Sequence, residues 1–379
     1  MKFKRIIIDP DIKELTIAKL FKKKFNAEID HSPKISDYRS GKKVLYVSPK
    51  KGEIFHICAS LDTRYICCST HVISHISNCP FECTYCFLQN YLTDTTLTLV
   101  SDTKAIIDEI KAKTSKEPWR LFRIGTWELG DSISIYPLNM ATKELVEAFK
   151  HLNNSILKLR TKSAQIEPLL DADHGNRTII SWTVNPQEII QKEEIGTATI
   201  EERIKAMEKA SKAGYKIGLH FDPMLLFKGW ERAYYELVRD IFSAISPQVV
   251  IWISIGSLRF NPEMKTKIEN NYPSSKITAQ EMILGDDNKY RYLRPIRVEM
   301  YKYLLSVLKE VGASDCFTYL CMERWNVWHE VFGKYPKSIG HLDYLIARSV
   351  WERFPEICSL PPKKEKYLEL TYDNPFYSI

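Results

Sequence analysis

From residue 64 to residue 323 the chain alternates between two kinds of stretch. Short apolar runs, "RYICC", "RLFRIG", "ILKLRTK", "TIISWTVNP", "KIGLHFDP", "VVIWISIGS" and "FTYLCME", are rich in Ile, Val, Thr and aromatic residues. Runs of this length and composition predict buried strands. Between them lie segments whose apolar residues return every three or four positions, among them "TKELVEAFKHL", "TIEERIKAMEKASKAG" and "WERAYYELVRDIFSAI". That period predicts helices packed by one face. The second has marked ends, since Thr199 with Glu202 spells a capping box and Gly214 stands where a helix would stop. Strand and helix in alternation predict an α/β fold, a parallel sheet with helices outside it, either doubly wound or barrel-like. In both architectures chemistry gathers at the carboxyl ends of the strands.

Applied here, that rule selects Glu128 and Asp131 after "RLFRIGTW", Lys162 after "ILKLRT", Asn185 after "IISWTV", His220 and Asp222 in "IGLHFDP", Arg259 after "WISIGSL", and Cys321 with Glu323 in "YLCME". Each also has a plainer role open to it. Asn185 and Asp222 precede prolines, where a turn alone would suit them, and His220 could be a satisfied core histidine. Residues 1–65 differ in pattern. They mix short strand-like runs ("RIIID", "KVLYVS") with a helix-like "KELTIAKLFKKKF" and a turn-rich "SPKISDYRSGKK", which predicts a small α/β region ahead of the regular part.

Composition narrows the class. The 379 residues are 44% hydrophobic and 27% charged, ordinary for a globular protein and incompatible with wholesale disorder. The opening "MKFKRIIIDP" is too charged for a signal peptide and no run approaches eighteen apolar residues, so a cytoplasmic protein without a membrane partner is expected. A net charge of +7 would draw the surface towards polyanions, although many basic enzymes bind no nucleic acid.

Three of the nine cysteines, Cys79, Cys83 and Cys86, fall together in "NCPFECTYCFLQ". In a reducing compartment such a group reads as metal-binding. A closed zinc site would need a fourth ligand, for which Cys67, Cys68, His71 and His75 lie upstream. A [4Fe-4S] cluster held by three cysteines instead keeps one iron open to an exogenous ligand, and S-adenosylmethionine can chelate there and be cleaved reductively to a 5'-deoxyadenosyl radical. The Cys-x3-Cys-x2-Cys spacing, with Tyr85 immediately before the last cysteine, resembles the radical S-adenosylmethionine superfamily.

A closer resemblance, from about Tyr65 to Gly333, is carried by "NCPFECTYCFLQ", "LKLRTKSAQIEPLLDADHGNRTIISWTVNP", "EEIGTATIEERIKAMEKASKAGYKIGLHFDP", "GWERAYYELV", "GSLRFNPEMKTKIENNYP" and "RYLRPIR". In that order they resemble spore photoproduct lyase and its relatives. The resemblance implies a partial (β/α)6 TIM-type barrel over residues 66–335, with residues 1–65 as a small N-terminal α/β region and 336–379 as a C-terminal helical extension and tail. It implies Cys79, Cys83 and Cys86 as cluster ligands, and Lys162, Thr183, Asn185, Glu194 and Arg203 on the S-adenosylmethionine side. It further implies an external electron donor such as flavodoxin or ferredoxin, a DNA substrate with a damaged or modified pyrimidine, and a basic hairpin near the carboxyl end gripping DNA. The segment "DDNKYRYLRPIR" offers Tyr and Arg for stacking and phosphate contact, or else solvated charges ahead of a helix.

The chain departs from the lyases at the step that returns hydrogen to the product. The place of their donor cysteine holds Glu128, whose O–H bond is too strong for the role, and Phe87 replaces a phenol after Cys86. Tyr85 is retained, and Cys321, ending the last predicted strand, is a candidate replacement donor. Glu128, Tyr85 and Cys321 are therefore the candidate catalytic residues. Two other readings stay open: the same radical chemistry on RNA, a peptide or a small molecule, and a zinc-stabilised binding module.

Overall fold

The computed structural model describes residues 3–131, 133–134 and 138–372; residues 373–379 of the expected C-terminal segment lie outside them. Seven strands, β1 (His71–Ile73), β2 (Phe122–Gly125), β3 (Ser155–Thr161), β4 (Thr178–Thr183), β5 (Lys216–Met224), β6 (Val250–Ser257) and β7 (Thr318–Leu320), run parallel. Each lies beside its predecessor in the chain. Sequential order is that of a barrel, since a doubly wound sheet reverses direction part-way. The sheet does not close: β7 pairs only with β6, and an antiparallel edge strand, Phe55–Ile57, lies outside β1. The fold is an open, partial (β/α) barrel.

The sequence explains these elements locally. Every residue of β4 and β6 is buried, as strands between helices and a filled interior must be. Helix Ile200–Lys212 buries Arg203, Ala206, Met207 and Ala210, one stripe at helical spacing. Its capping box between Thr199 and Glu202 is formed, and Gly214 follows at φ 91°, a conformation that favours glycine. Helices Leu138–Phe149 and Trp230–Ala244 occupy the other two predicted segments.

The first predicted strand is different. "RYICC" forms no ladder, and Ile66 alone makes one antiparallel bridge, to Glu323 just past β7. Tyr65 and Cys67 are buried against Met322 and Ile339. Ser69, at φ 48°, then turns the chain into the true first strand, His71–Ile73. Apolar content recorded burial there, and the burial comes from side chains sealed against the end of β7.

A second sheet has the order Glu28–Ile29, Arg5–Ile8, Val44–Ser48, Leu97–Val100, Ile76–Ser77, with only the last strand antiparallel. Its last two strands flank the cysteine loop, so the loop leaves this sheet and returns to it. At the other end of the chain, helix Ile339–Arg353 docks on β2 through a buried cluster: Asp343 accepts from Arg120 at 2.8 Å and from Arg123 at 2.7 Å. Among the described residues no helix is long and apolar enough to cross a membrane.

Candidate active site at the cysteine loop

Asn78 starts the loop at φ 69°, a region that asparagine tolerates better than most side chains, and its Oδ1 accepts from the Cys79 amide at 2.7 Å. Glu82–Cys83 then pairs antiparallel with Glu194–Ile195, from the segment that follows β4. Thr84 strengthens the join, its amide donating to the Glu193 carbonyl at 2.9 Å and its hydroxyl to the Glu193 carboxylate at 2.5 Å. The loop is thus pinned by the small sheet on one side and the barrel on the other. Cys83 is buried, while Cys79 and Cys86 are partly exposed.

The N-terminal region also reaches this loop. Lys42 is fully buried; its Nζ donates to the Phe81 carbonyl and lies 4.1 Å from the centre of the Tyr38 ring. Burial, then the neighbouring Cys86 and Cys79 thiols, hold the Tyr38 phenol protonated. Arg39 pairs with Glu82 at 3.4 Å. Nothing in "SDYRSGKK" announces these roles, because they arise only when the two sheets meet.

On the barrel side, the residues expected around S-adenosylmethionine meet in one network beside Cys83. Glu194 Oε1 accepts from the Tyr85 hydroxyl and from Asn185 Nδ2 at 2.9 Å; Glu194 Oε2 accepts from Arg203 Nη2 at 2.6 Å. Arg203 also donates to the Thr183 carbonyl at 2.9 Å, and Tyr234 donates to Asn185 Oδ1 at 2.9 Å. Burial would raise the Glu194 carboxyl, but Arg203, then Lys162, with the Tyr85 and Asn185 hydrogen bonds, bring it down to about 2. Thr183 spends its hydroxyl on Arg160, at 3.0 Å. Lys162 is positioned by its amide on Asp131 at 2.9 Å, and its Nζ lies 5.5 Å from the Tyr85 ring with no hydrogen bond or ion pair among the described residues.

The other two catalytic candidates lie elsewhere. Glu128 has both oxygens engaged, Oε1 by the Ala59 amide at 2.6 Å and Oε2 by His56 Nε2 at 2.7 Å, so it ties the end of β2 to the edge strand. Cys321 follows β7, and its Sγ accepts from Arg259 Nη2 at 3.4 Å while Arg259 Nη1 donates to Asp222 at 3.1 Å. Burial, then the Asp222 charge, hold that thiol protonated against the pull of Arg259.

The cysteine loop fits an iron–sulfur cluster better than a closed zinc site. His71 stacks on Phe55 at 5.2 Å, with burial lowering its pKa to about 3, and burial lowers that of His75 to about 4. Cys67 packs with Met322 and Ile339. Among the described residues no three His, Cys, Asp or Glu side chains converge on one ion-sized point. A cubane takes one thiolate per iron, so its ligands need neighbourhood rather than convergence. Burial, then the Asp131 charge, raises the Cys79 thiol and burial raises that of Cys83, with Lys42 and Lys162 respectively pulling them part of the way back.

The hairpin near the carboxyl end is present, formed by Met282–Leu284 and Tyr290–Tyr292 and extended by Arg259–Phe260. Its arginine does not face outward as expected. Arg291 is buried and donates to both Asp287 oxygens at 2.6 Å, and Arg297 is buried against Glu323 at 2.8 Å. Each of these two guanidiniums already has a carboxylate, whereas Arg294 of the same segment is exposed, 3.4 Å from Glu330. The exposed large apolar side chains on the hairpin are Ile283 and Leu284, and Asp286 and Asn288 of its turn are exposed as well.

Comparison with known proteins gives this arrangement its relatives. A family model described as spore photoproduct lyase matches residues 12–310. The spore photoproduct lyase of Bacillus subtilis (strain 168) is 26% identical over 262 residues, 68% of this chain and 72% of the relative. That of Geobacillus sp. (strain Y412MC61) is 26% identical over 230 residues, 59% and 65% of the two chains. The solved structure of spore photoproduct lyase complexed with dinucleoside spore photoproduct superposes with a TM-score of 0.73 at 21% identity, over 84% of this chain and 98% of that one. A mutant with bound AdoMet and dinucleoside spore photoproduct gives the same TM-score and shares. The family match runs from the small sheet through the cysteine loop and the barrel to the end of helix Arg294–Glu310, and the chain belongs to the spore photoproduct lyase family of radical S-adenosylmethionine lyases.

Proposed function

We propose that the chain uses a [4Fe-4S] cluster and S-adenosylmethionine to abstract hydrogen from a damaged or modified pyrimidine in DNA, in the manner of spore photoproduct repair. The observation that carries this is the joining of Cys83 to Tyr85, Glu194, Asn185, Arg203 and Lys162 in one wall, buried at Cys83, Asn185, Glu194 and Arg203 and partly exposed at Tyr85 and Lys162. Relatives named spore photoproduct lyase, one solved with dinucleoside spore photoproduct, support the substrate class, as does the net charge of +7.

When bound, the cluster and S-adenosylmethionine supply a 5'-deoxyadenosyl radical able to take hydrogen from carbon. Cys79, Cys83 and Cys86 would hold the cluster. Lys162, the cation of the wall with an uncommitted Nζ, is placed to take a carboxylate. Arg203 keeps Glu194 ionised, Glu194 orients Asn185 and Tyr85, and Thr183 lines the same wall. Glu128 acts as a positioning residue, because its oxygens are spent on the edge strand. The neutral Cys321 thiol is the hydrogen-atom donor on this reading, its S–H bond being weaker than any carboxyl O–H. An external electron donor such as flavodoxin or ferredoxin provides the electron. All nine cysteines are free, consistent with work in the reducing cytoplasm.

The test is anaerobic reconstitution with reductant and S-adenosylmethionine, measuring 5'-deoxyadenosine with and without ultraviolet-damaged DNA and tracing deuterium between cofactor and nucleoside. Damaged DNA is expected to stimulate cleavage and to carry label. Cleavage that DNA neither stimulates nor records would overturn the DNA reading.

A further inference from the structure

Past residue 310, where the family match ends, lie helix Trp325–Phe332 and the irregular segment that follows it. Trp325 and Tyr335 are 55% and 44% exposed, with ring centres 5.7 Å apart and planes inclined at 49°. With Tyr65, Ile66 and Ile339 they line a cavity of about 320 Å3. Two large rings held half in water beside an apolar floor form a surface suited to a flat, partly polar guest.

Its position ties it to the barrel mouth. Trp325 stands four residues beyond Cys321 in the chain, and the Glu323 carbonyl between them accepts from the Ile66 amide at 2.9 Å. Tyr65, in the cavity wall, carries the Arg291 guanidinium of the hairpin 4.6 Å from its ring centre. The charges around it are not balanced. Arg64 and Arg324 are matched by Asp62 and Asp286. Lys334 and Lys337, either side of Tyr335, are exposed and meet no carboxylate among the described residues.

We propose that this shelf stacks unpaired bases of the DNA strand next to the reacting nucleotide, with Lys334 and Lys337 on the adjoining phosphates; the proposal rests on the DNA reading above. Aromatic faces receive any base, so the shelf would grip a strand without reading its sequence. A damaged nucleotide costs least to unpair and swing out, and the base beside it then lacks a stacking partner that the shelf can supply. Apolar Ile283 and Leu284 on the hairpin are the kind of side chain that separates base steps.

The experiment is fluorescence anisotropy of the reconstituted full chain with labelled oligothymidylate and with a damaged duplex, across a salt series. Trp325→Ala and Tyr335→Ala should each weaken binding about tenfold, with Trp325→Phe and Tyr335→Phe close to the native chain and guarding against misfolding. Lys334→Gln and Lys337→Gln should each flatten the slope of log affinity against log salt by about 0.7 on single strands. Alanine variants that bind like the native chain overturn the shelf while leaving the DNA reading intact. A native chain without salt-dependent DNA binding overturns both. Tighter binding of oligouridylate than of oligothymidylate, or loss of a dimer in sedimentation of Trp325→Ala with DNA binding unchanged, assigns the shelf to RNA or to a second copy and also overturns it.

Discussion

Replacing Arg203 by methionine removes the cation that keeps Glu194 ionised between the cysteine loop and the barrel. In the native chain Glu194 falls from 4.5 to about 2: burial opposes the change, and Arg203, then Lys162, with the hydrogen bonds from Tyr85 and Asn185, outweigh it. That drop corresponds to about 3 kcal/mol in favour of the folded protein. Because the folded-state pKa is depressed, this stabilisation is complete above the unfolded value of 4.5 and is lost as pH falls towards 2. Without Arg203 a fully buried carboxylate loses its ion-pair partner and keeps only Lys162 nearby and the Tyr85 and Asn185 hydrogen bonds, a change that costs about 3–5 kcal/mol near neutral pH. The carboxyl of the variant will take up a proton at a higher pH than the native one, so the deficit shrinks on acidification.

Urea unfolding of the two proteins at pH 7 and pH 4 reads the difference through the midpoint and the slope. Pairing Arg203→Met with Glu194→Gln, which leaves no charge stranded, should recover part of the loss. Because Glu194 is hydrogen-bonded in register with Cys83, the single variant should also retain less iron and sulfide per chain after reconstitution. A deficit at pH 7 under about 0.5 kcal/mol, or one equal at both pH values, would refute the argument.

Lys162→Met should raise the dissociation constant for S-adenosylmethionine about tenfold at unchanged iron content, and equal affinity would remove Lys162 from the cofactor wall. Cys321→Ala should still form 5'-deoxyadenosine but fail to return hydrogen to the nucleoside; full turnover with unchanged deuterium transfer rules the thiol out as donor. Asp343→Ala strands Arg123 in the interior, leaves Arg120 only its pair with Glu117, and should cost about 3–5 kcal/mol in urea unfolding; an unmoved midpoint would show that the C-terminal helix does not depend on Asp343.

The elements most legible in the sequence were those whose stability is local or two-sided. The capping box at Thr199, the stop at Gly214 and the predominantly apolar "TIISWT" and "VVIWISIGS" could be read because neighbouring residues fix them. "RYICC" misled, since side chains sealed against the end of β7 look, in sequence, like a strand. The grouping of the cysteines was visible in their spacing, and the residues around Glu194 were picked out by resemblance; that they join through a buried ion pair needed the fold. Lys42, Tyr38 and His56 gave no local signal, because each acts across a sheet-to-sheet or strand-to-strand contact. The inward turn of Arg291 did leave a trace, in Asp287 four residues before it.

The open side of the sheet bears on how a substrate arrives. The interior of a closed barrel is reached through its end, by something small or by the tip of a chain. Here β7 and the edge strand Phe55–Ile57 do not pair with each other, and the bridge between Ile66 and Glu323 is a single rung near them. A continuous polymer can lie across such a cleft, lower one unit inward and keep both neighbours outside. No end would have to be found or threaded, so on the DNA reading a lesion far from any terminus would be as accessible as one beside it.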